Sequence, residues 1–376
     1  MESNKIYQGN CLEQLNKIDD NSIQCVVTSP PYWGLRDYGV KGQIGLEPMP
    51  EDYVNNLIKV FSEVKRVLRQ DGTIWLNLGD SYYGSGRGHN CEQSRGKYTE
   101  GQYASASSAL NIVDKTAKHK FLKPKDLCGI PFRVAFALQE RLGLYLRQAI
   151  IWHKPNAMPS SVSDRPTTDY EFIFLLSKSD RYYYDADSIR EPHKLDSVKR
   201  ACRARTSNKL KAKNYAISYL GENVGYDNME EKLKNGELRS VNKGGRNNRA
   251  VWSITLKPYS GAHFATFPPE LPRRCILAGS KEGDIILDPF AGAGTTLMAA
   301  KYLGRKYIGI ELSKEYITLI NKRIAQETIT DFFYTQNSTE FCPVTQESLI
   351  SVKRDSADSP NSPHDSSAIK EEANFS

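Results

Sequence analysis

Short apolar runs alternate with longer amphipathic segments along the first half of the chain. The runs at residues 23–27, 73–78, 144–151 and 171–176 have the length and composition of buried strands. The first run is followed by Thr28 and then directly by a Ser-Pro-Pro sequence. Because two consecutive prolines cannot extend a central strand, this pattern predicts a buried strand that leads into a rigid loop.

Two segments near these strands have helical periodicity. From Tyr53 to Leu68 the apolar residues recur every three or four positions, and a Gln-Asp-Gly turn at residues 70–72 closes the predicted helix. A second predicted helix begins near Pro131, which suits a first helical position, and runs to about Leu142. Helices that alternate with buried strands predict a three-layer α/β fold, with helices on both faces of one sheet.

A strand, a glycine-rich loop, a helix and a second strand follow one another in the last third of the chain. The apolar strand at residues 284–287 runs into the loop at residues 288–296, and the second strand ends at Glu311, 19 residues after Gly292. Glycines let a ligand approach the backbone, and a carboxylate at that strand end can accept hydrogen bonds from both ribose hydroxyls. This unit predicts a nucleoside site; the alternative is a glycine turn that serves packing alone.

The residues that the loop lacks narrow the choice of nucleoside. A dinucleotide site would have a third glycine where Leu297 stands, and a phosphate-binding loop would have a Gly-Lys-Ser/Thr sequence. A loop that opens with Asp288 instead of a phosphate cradle fits S-adenosylmethionine, whose sulfonium and amino groups are cationic. Thr295 and Thr296 either bind the carboxylate of that ligand or cap the helix that follows.

The loop at residues 28–33, Thr-Ser-Pro-Pro-Tyr-Trp, follows the first buried strand. Strand ends are the usual position of active-site loops in open α/β sheets. The two prolines fix the directions of nearby carbonyl groups, while Tyr32 and Trp33 offer flat faces on which a base could stack. The alternative is a rigid turn that carries core aromatic residues.

Two segments interrupt the regular pattern, and a polar tail follows it. Residues 84–120 are rich in Gly, Ser and Asn and predict a mobile insertion, and residues 188–249 form a longer, polar and basic insertion with interspersed tyrosines. We therefore predict a catalytic domain made of residues 1–187 and 250–330. Residues 331–376 form a C-terminal extension whose polar composition predicts that it is largely disordered.

Composition places the chain among globular proteins. Hydrophobic residues make up 39% of the 376 residues and charged residues 25%, which excludes collagen-like, low-complexity and wholly disordered chains. No apolar run approaches the roughly 20 residues of a membrane span, and the polar opening predicts no secretory signal. We expect a soluble intracellular protein with no metal. The seven cysteines lack CxxC spacing and are expected to be reduced, with Cys91 and the nearby His89 unliganded.

The net charge of +7 is concentrated in one region. Residues 190–249 contain 15 Lys and Arg residues against 7 Asp and Glu residues. Clustered basic residues favour a polyanion, most simply nucleic acid, because they release counterions from phosphates. The alternative is a solvated insertion without a partner.

The Ser-Pro-Pro-Tyr-Trp and Asp-Pro-Phe-Ala-Gly-Ala-Gly-Thr-Thr motifs together resemble those of the amino-group DNA methyltransferases of restriction-modification systems. The catalytic motif comes first and the cofactor motif last, an order similar to that of the beta group of this family. The resemblance covers about residues 5–330. Its further matches are residues 9–12, 72–82, 151–156, 164–166 and 263–268.

This resemblance implies a Rossmann-like methyltransferase fold that uses S-adenosylmethionine. It implies double-stranded DNA with a short, specific target site as the partner, and it places the basic insertion at residues 188–249 where beta-group members carry their target-recognition region. It further implies the cytoplasm of a prokaryote or of a phage host as the location. A cognate restriction endonuclease would be a further partner.

The resemblance also assigns roles to individual residues. Phe290 would flank the adenine of the cofactor, Gly292 and Gly294 would approach its methionine part, and Glu311 would hold the ribose. Asn10 stands where relatives often have Asp. The residues with a predicted catalytic role are Ser29, Pro30, Pro31 and Tyr32. Those with a predicted cofactor role are Asn10, Asp288, Phe290, Gly292, Gly294, Thr295 and Glu311.

The residue before Pro-Pro-Tyr separates the variants of this family. Adenine-N6 enzymes usually have Asp or Asn there, whereas Ser29 resembles the cytosine-N4 enzymes. A serine hydroxyl can accept a proton of the target amine and can also donate toward the ring nitrogen of cytosine. Adenine-N6 methylation, the same chemistry on RNA or protein, and a non-catalytic DNA-binding protein remain alternatives. Cytosine-C5 methylation is disfavoured because the chain has no Pro-Cys dipeptide.

Overall fold

Strands from both halves of the chain meet in one eight-stranded sheet, as a computed structural model shows. This sheet confirms the α/β fold that the alternating pattern predicts. In chain order the strands are β1 (Lys5–Gln8), β2 (Ile23–Thr28), β3 (Leu68–Leu78), β4 (Tyr145–His153), β5 (Tyr170–Ser177), β6 (Val251–Ser253), β7 (Ile285–Asp288) and β8 (Lys306–Glu311).

The structure describes most of the chain. Most of the predicted insertion at residues 84–120, most of the basic insertion at residues 188–249, the C-terminal extension and most of the match at residues 263–268 lie outside the described residues, as do His89 and Cys91. The described residues are 1–84, 119–160, 162–194, 197, 242, 244–256 and 267–326.

The strands are arranged in the order β1-β8-β7-β2-β3-β5-β4-β6. Strands β1, β8, β7, β2 and β3 are parallel, and β5 is antiparallel to both β3 and β4. All six residues of β2 are buried, as expected for a parallel strand that is covered on both faces. After β2 the chain continues to β3 on one side of the sheet, and after β7 it continues to β8 on the other side. The connections therefore leave β2 and β7 in opposite directions, which creates a crevice at the carboxyl ends of these two neighbouring strands.

Helices cover both faces of the sheet and create two apolar cores. The helices are α1 (Cys11–Leu15), α2 (Pro50–Val67), α3 (Ile130–Leu142), α4 (Glu270–Gly279), α5 (Thr295–Tyr302) and α6 (Lys314–Gln326). The core on the face covered by α1, α2 and α3, here the α1–α3 face, contains Phe61, Leu76 and Phe174, whereas the core on the opposite face contains Trp75 and Leu297.

The predicted turn at residues 70–72 is wrong. Helix α2 ends at Val67, and Leu68 already has extended backbone with φ −68° and ψ 136°. Leu68 pairs with Ile23 of β2, and the register shifts before the pairing of Cys25 with Thr73. Strand β3 therefore begins five residues earlier than the apolar run indicates, because the pairing with β2 buries Leu68 completely.

Candidate active site

Four neighbouring strands deliver the predicted site residues to one edge of the sheet. Thr28 ends β2, Asp288 ends β7 and Glu311 ends β8, while Asn10 follows the end of β1. These strands are adjacent and parallel, so their carboxyl ends meet at the same edge. The two sequence motifs, far apart in the chain, lie side by side at the crevice between β2 and β7.

Asp288 joins the two motifs. Its carboxylate accepts a 2.7 Å hydrogen bond from the Thr28 hydroxyl and a 3.1 Å bond from the backbone N–H of Phe290. Asp288 is 1% exposed. Burial raises its pKa to about 6, although the Thr28 hydrogen bond acts in the opposite direction. Asp288 therefore connects the loop at residues 28–33, named the catalytic loop for its predicted role, to the glycine loop at residues 288–296.

Glu311 and the first loop glycine form the surface onto which a nucleoside would fit. The Glu311 carboxylate accepts hydrogen bonds of 2.8 Å from the backbone N–H groups of Gly292 and Ser313. Burial raises the pKa of Glu311, and these backbone donors oppose that shift. A Cβ added at Gly292 would meet only the Phe290 carbonyl oxygen, 3.9 Å away. A ligand can therefore approach the backbone there, and the carboxylate keeps lone pairs for the two hydroxyls of a ribose.

The second loop glycine has a packing role. Gly294 has φ +76°, and a Cβ there would lie 2.5 Å from Cγ2 of Ile320 on α6. The absent side chain thus makes room for α6, which accounts for this glycine without a ligand. Its predicted contact with the methionine part of a cofactor stays a prediction.

The two threonines after Gly294 enter the protein interior. Gly294 is the N-cap of α5, and no side-chain hydrogen bond caps this helix. Thr295 and Thr296 are both buried, and the Thr296 hydroxyl donates to the Val27 carbonyl at 3.3 Å. Helix capping by these residues is therefore wrong. The Thr296 hydroxyl instead connects α5 to β2 by a hydrogen bond. The predicted contact of Thr295 with the cofactor stays a prediction.

Asn10 and Phe290 border the same end of the crevice. The Asn10 side-chain oxygen accepts a 2.9 Å hydrogen bond from the Leu12 N–H, so Asn10 caps α1. The preceding Gly9 N–H donates to the main-chain carbonyl of Glu311 at 3.0 Å. Phe290 is partly buried and packs against the core on the α1–α3 face. Both residues stand beside the Glu311 region, where a nucleoside base would extend from its ribose.

Two tyrosines that no sequence motif marks lie near Glu311. The rings of Tyr38 and Tyr316 meet edge to face with centroids 6.4 Å apart. Burial raises the pKa of both phenols, and the Glu311 charge raises them further, while Arg36 acts in the opposite direction. Tyr38 belongs to a polar loop without periodicity, so nothing in the sequence pattern indicates that it reaches this site.

The Ser-Pro-Pro-Tyr loop presents a chain of hydroxyl groups. The Ser29 hydroxyl lies 3.3 Å from the Tyr32 hydroxyl, and the latter donates to Oε2 of Glu171 at 2.7 Å. Burial, followed by the Glu171 charge, raises the pKa of Tyr32 well above its ordinary value, so the phenol stays protonated. The Pro31 carbonyl accepts a 2.9 Å hydrogen bond from Tyr53 of α2, which anchors the loop.

Trp33 is a core residue, and its predicted role as a stacking surface is wrong. It is 1% exposed, and its indole N–H donates to the Glu47 carbonyl at 2.8 Å. Its ring stacks at a centroid distance of 6.4 Å on Tyr83, which is also buried. A base cannot reach the Trp33 face, so Tyr32 is the aromatic residue of this loop at the crevice.

Gly79, which directly follows β3, packs against the Tyr32 ring of the catalytic loop. A Cβ at Gly79 would lie 2.7 Å from Cε2 of the Tyr32 ring, so only glycine leaves room for that ring. Asp80 accepts hydrogen bonds from the backbone N–H groups of Ser81, Gly129 and Ile130. It thereby caps the start of α3, the structural role that its position at a strand end allows.

His153, the last residue of β4, and the following Lys154 contact different groups. His153 contacts Ser253 at 3.0 Å and Asp169 at 3.5 Å, on the exposed side. Lys154 forms an ion pair with Glu171, and its ammonium group lies 4.5 Å from the centroid of the Trp152 ring. Lys154 is therefore connected to the catalytic loop through Glu171, a link that the sequence pattern does not reveal.

The two ends of the basic insertion come together at the protein body. Glu191 and Arg246 form an antiparallel bridge, and their side chains form an ion pair of 2.7 Å. The segment between them, where most of the basic residues lie, is outside the described residues apart from residues 192–194, Ser197, Asn242, Gly244 and Gly245.

The described residues contain no group of three or more His, Cys, Asp or Glu side chains that could hold a metal ion. Within the same residues, no helix is both long and apolar enough to cross a membrane. The four cysteines that the structure describes are free thiols.

Comparisons with known proteins agree with this architecture. The sequence model of a family described as DNA methylase matches residues 23–322. The type II methyltransferase M.Cfr9I of Citrobacter freundii is 42% identical over 322 residues, which cover 86% of this chain and 88% of that protein. The type II methyltransferase M.SmaI of Serratia marcescens is 42% identical over 324 residues, covering 86% of this chain and 91% of that protein.

Among solved structures, the PvuII DNA methyltransferase (cytosine-N4-specific) matches with a TM-score of 0.54 and 18% sequence identity. The match covers 94% of this chain and 92% of that protein. At this level of identity the likeness concerns the fold, and it confirms the methyltransferase fold predicted from the motifs.

Proposed function

The chain belongs to the DNA methylase family, and from this premise we propose that it transfers a methyl group from S-adenosylmethionine to the exocyclic N4 atom of cytosine. The substrate is a short, specific site in double-stranded DNA, and the reaction takes place in the cytoplasm. The observation that carries the proposal is the position of Ser29 directly after the carboxyl end of β2, next to Thr28, whose hydroxyl binds Asp288 at the end of β7.

The target amine needs acceptors for its protons. Its lone pair is delocalised into the ring, so hydrogen bonds must hold the N–H groups and leave the lone pair free for the methyl group. The Ser29 oxygen and the Pro30 carbonyl supply such acceptors on a backbone that two prolines make rigid. The base itself is the nucleophile, and the site contributes mainly orientation.

The cofactor is held by residues that already form a cradle. Glu311 receives the ribose hydroxyls, the backbone at Gly292 approaches the ligand closely, and Phe290 and Asn10 border the adenine. When bound, S-adenosylmethionine supplies a methyl group on a sulfonium that is a good leaving group. Asp288 holds the cradle beside the catalytic loop through its bond with Thr28.

The target base must leave the DNA helix to reach this crevice. Extrusion costs a few kcal/mol of unpairing, which stacking on an aromatic side chain helps to offset. Tyr32 supplies that face, since Gly79 beneath it leaves room for the ring and Trp33 is occupied by the core. The basic insertion contacts phosphates and base edges and thereby selects the site.

The serine before Pro-Pro-Tyr is the feature that favours cytosine over adenine. Relatives at 42% identity are named as type II methyltransferases, so protection of DNA against a cognate restriction endonuclease is the role that fits this reaction. Both the choice of base and the partner endonuclease belong to this proposal.

The test is incubation of the purified protein with S-adenosylmethionine and unmethylated genomic DNA, followed by nucleoside mass spectrometry. We expect N4-methylcytosine, and its absence from a reaction without S-adenosylmethionine is the control. N6-methyladenine would overturn the base assignment but keep the enzyme class. Neither product would overturn the proposed reaction and favour RNA, protein or a non-catalytic role.

A further inference from the structure

A nearly buried ion pair stands directly behind the catalytic loop. Glu171, near the start of β5, and Lys154, just after β4, are each only 16% exposed at their side chains. Removing two charges from water is costly, and a packed apolar pair at such a place is often as stable or more so. Stability alone therefore does not account for an ion pair at this position.

The carboxylate of Glu171 is the centre of a hydrogen-bond network. Its Oε1 atom receives the Lys154 ammonium group. Its Oε2 atom accepts from the Tyr32 hydroxyl at 2.7 Å and from the side-chain amide of Asn77 at 3.1 Å. The same Asn77 amide group donates to the Phe172 carbonyl at 3.1 Å. Glu171 is thus held from two sides and cannot turn away from Tyr32 without breaking these bonds.

The network fixes the direction of each hydroxyl proton. The single proton of the Tyr32 phenol has two acceptors in reach, Oε2 of Glu171 at 2.7 Å and Oδ1 of Asn77 at 3.1 Å, and the shorter bond, to the carboxylate that pairs with Lys154, holds it. The Tyr32 oxygen is then an acceptor for the Ser29 hydroxyl, 3.3 Å away. With its proton turned toward Tyr32, the Ser29 oxygen directs its lone pairs to the open side of the loop.

We propose that Glu171, held by Lys154, is a positioning residue that orients the Tyr32 hydroxyl and, through it, makes the Ser29 oxygen an acceptor for the amine protons of the target base. The inference rests on the proposed function, since it concerns the same amine. Glu171 does not touch the substrate and acts only through Tyr32. A glutamine in its place could donate as well as accept, and the direction of the chain would no longer be unique.

The kinetic test compares the single-turnover methylation rates of Glu171→Gln, Tyr32→Phe and the double variant. Tyr32→Phe keeps the stacking ring and removes only the hydroxyl. We expect each single variant to be slower by about tenfold, and the double variant to be no slower than the slower single one, because one chain carries both effects. The KM for S-adenosylmethionine and the affinity for DNA should stay within about twofold of wild type.

Two further variants separate positioning from a structural role. Glu171→Asp keeps the charge but withdraws the carboxylate by one C–C bond, about 1.5 Å, so it should also slow the reaction. It keeps the experiment decisive if Glu171→Gln fails to fold. Glu63→Gln is the matched control, because it breaks a Glu–Arg ion pair of similar exposure on α2, and its rate should equal that of wild type.

A spectroscopic measurement needs neither cofactor nor DNA. In protein labelled with ¹³Cζ-tyrosine, the resonance that disappears in Tyr32→Phe belongs to Tyr32, one of 21 tyrosines. It should shift in Glu171→Gln and Glu171→Asp and stay in place in Glu63→Gln. An unshifted resonance, a wild-type rate in both Glu171 variants, or losses that multiply in the double variant would each overturn the proposal. An inactive wild-type protein whose Tyr32 resonance shifts as described would instead count against the proposed function.

Discussion

Thr28 and Asp288 are 260 positions apart in the chain, and the Thr28 hydroxyl donates a 2.7 Å hydrogen bond to the Asp288 carboxylate. Each residue ends a central strand, β2 for Thr28 and β7 for Asp288. This hydrogen bond holds two motifs that are far apart in the sequence side by side at one crevice. In the proposed reaction one motif serves the base and the other the cofactor, so the geometry of methyl transfer would depend on this hydrogen bond.

Asp288 makes protein stability depend on pH. Burial raises its pKa from 3.8 to about 6 in the folded protein. Between these values the folded protein holds a proton that the unfolded chain has released, so the contribution of Asp288 to the free energy of unfolding falls as pH rises through this window. Relative to wild type, Asp288→Asn should gain roughly 2–3 kcal/mol between about pH 4 and pH 7.

Urea unfolding at a series of pH values measures this difference. Thr28→Val removes a hydrogen bond that lowers the Asp288 pKa in the folded protein, so its stability should fall over a window that extends to higher pH. A constant difference between Asp288→Asn and wild type would show that Asp288 does not titrate in this range.

The two loop glycines should respond differently to alanine. Gly294→Ala places a Cβ 2.5 Å from Ile320 and at φ +76°, so it should lower the free energy of unfolding by about 1–3 kcal/mol. Adding Ile320→Ala should restore part of this loss. Gly292→Ala, at φ +51°, meets only the Phe290 carbonyl oxygen at 3.9 Å, so it should cost less stability but weaken binding of S-adenosylhomocysteine. Thermal unfolding and calorimetric titration measure both; equal effects at the two positions would contradict the assignment.

The strands around the site could be predicted from sequence because they are buried on both faces. Strands β2, β7 and β8 are short apolar runs that end at Thr28, Asp288 and Glu311, and their hydrophobicity is a local property. The five residues from Leu68 to Gly72 could not be assigned in this way. Helical periodicity continues through Leu68, and only the pairing with Ile23 across the sheet shows that it is extended.

The directions of side chains were harder to predict than the motifs that carry them. Trp33 adjoins Tyr32 in the sequence, yet one ring enters the core and the other lies at the crevice. Gly294 follows the spacing of a ligand loop but accommodates Ile320 of α6. Glu171 lies 139 positions from Tyr32 and has no motif, so their contact depends on the order of strands β3, β5 and β4.

Glu311 should control cofactor affinity. Replacement by alanine removes both the ribose acceptor and the partner of the Gly292 and Ser313 N–H groups. We expect the dissociation constant of S-adenosylhomocysteine to rise at least about tenfold, as for the loss of a hydrogen bond to a charged group. Isothermal titration calorimetry measures it, with the neighbouring Glu315→Gln on α6 as control. An unchanged constant would show that the ribose lies elsewhere.

Ser29 should affect the chemical step and spare cofactor binding. Ser29→Ala removes an amine acceptor, so we expect the single-turnover rate to fall about a hundredfold. The dissociation constant of S-adenosylhomocysteine should match that of wild type, since Glu311 and Gly292 are intact. Ser22→Ala, which removes an exposed turn hydroxyl, is the control. A rate close to wild type in Ser29→Ala would rule out its proposed role.

The basic insertion should make DNA binding strongly dependent on salt. Residues 190–249 hold 15 Lys and Arg residues, and each one that neutralises a phosphate adds about 0.9 to the slope of log K against log salt concentration. Replacing Arg203 and Arg205 with Gln should therefore reduce that slope by about 2 if both contact phosphates. The matched control replaces Lys17 and Lys59, which are exposed outside the insertion, and should leave the slope unchanged. Fluorescence anisotropy at several salt concentrations measures the slope. A flat response in the wild-type protein would mean that the insertion is solvated and contacts no phosphate. Residues at the edge of the sheet would then have to select the DNA sequence.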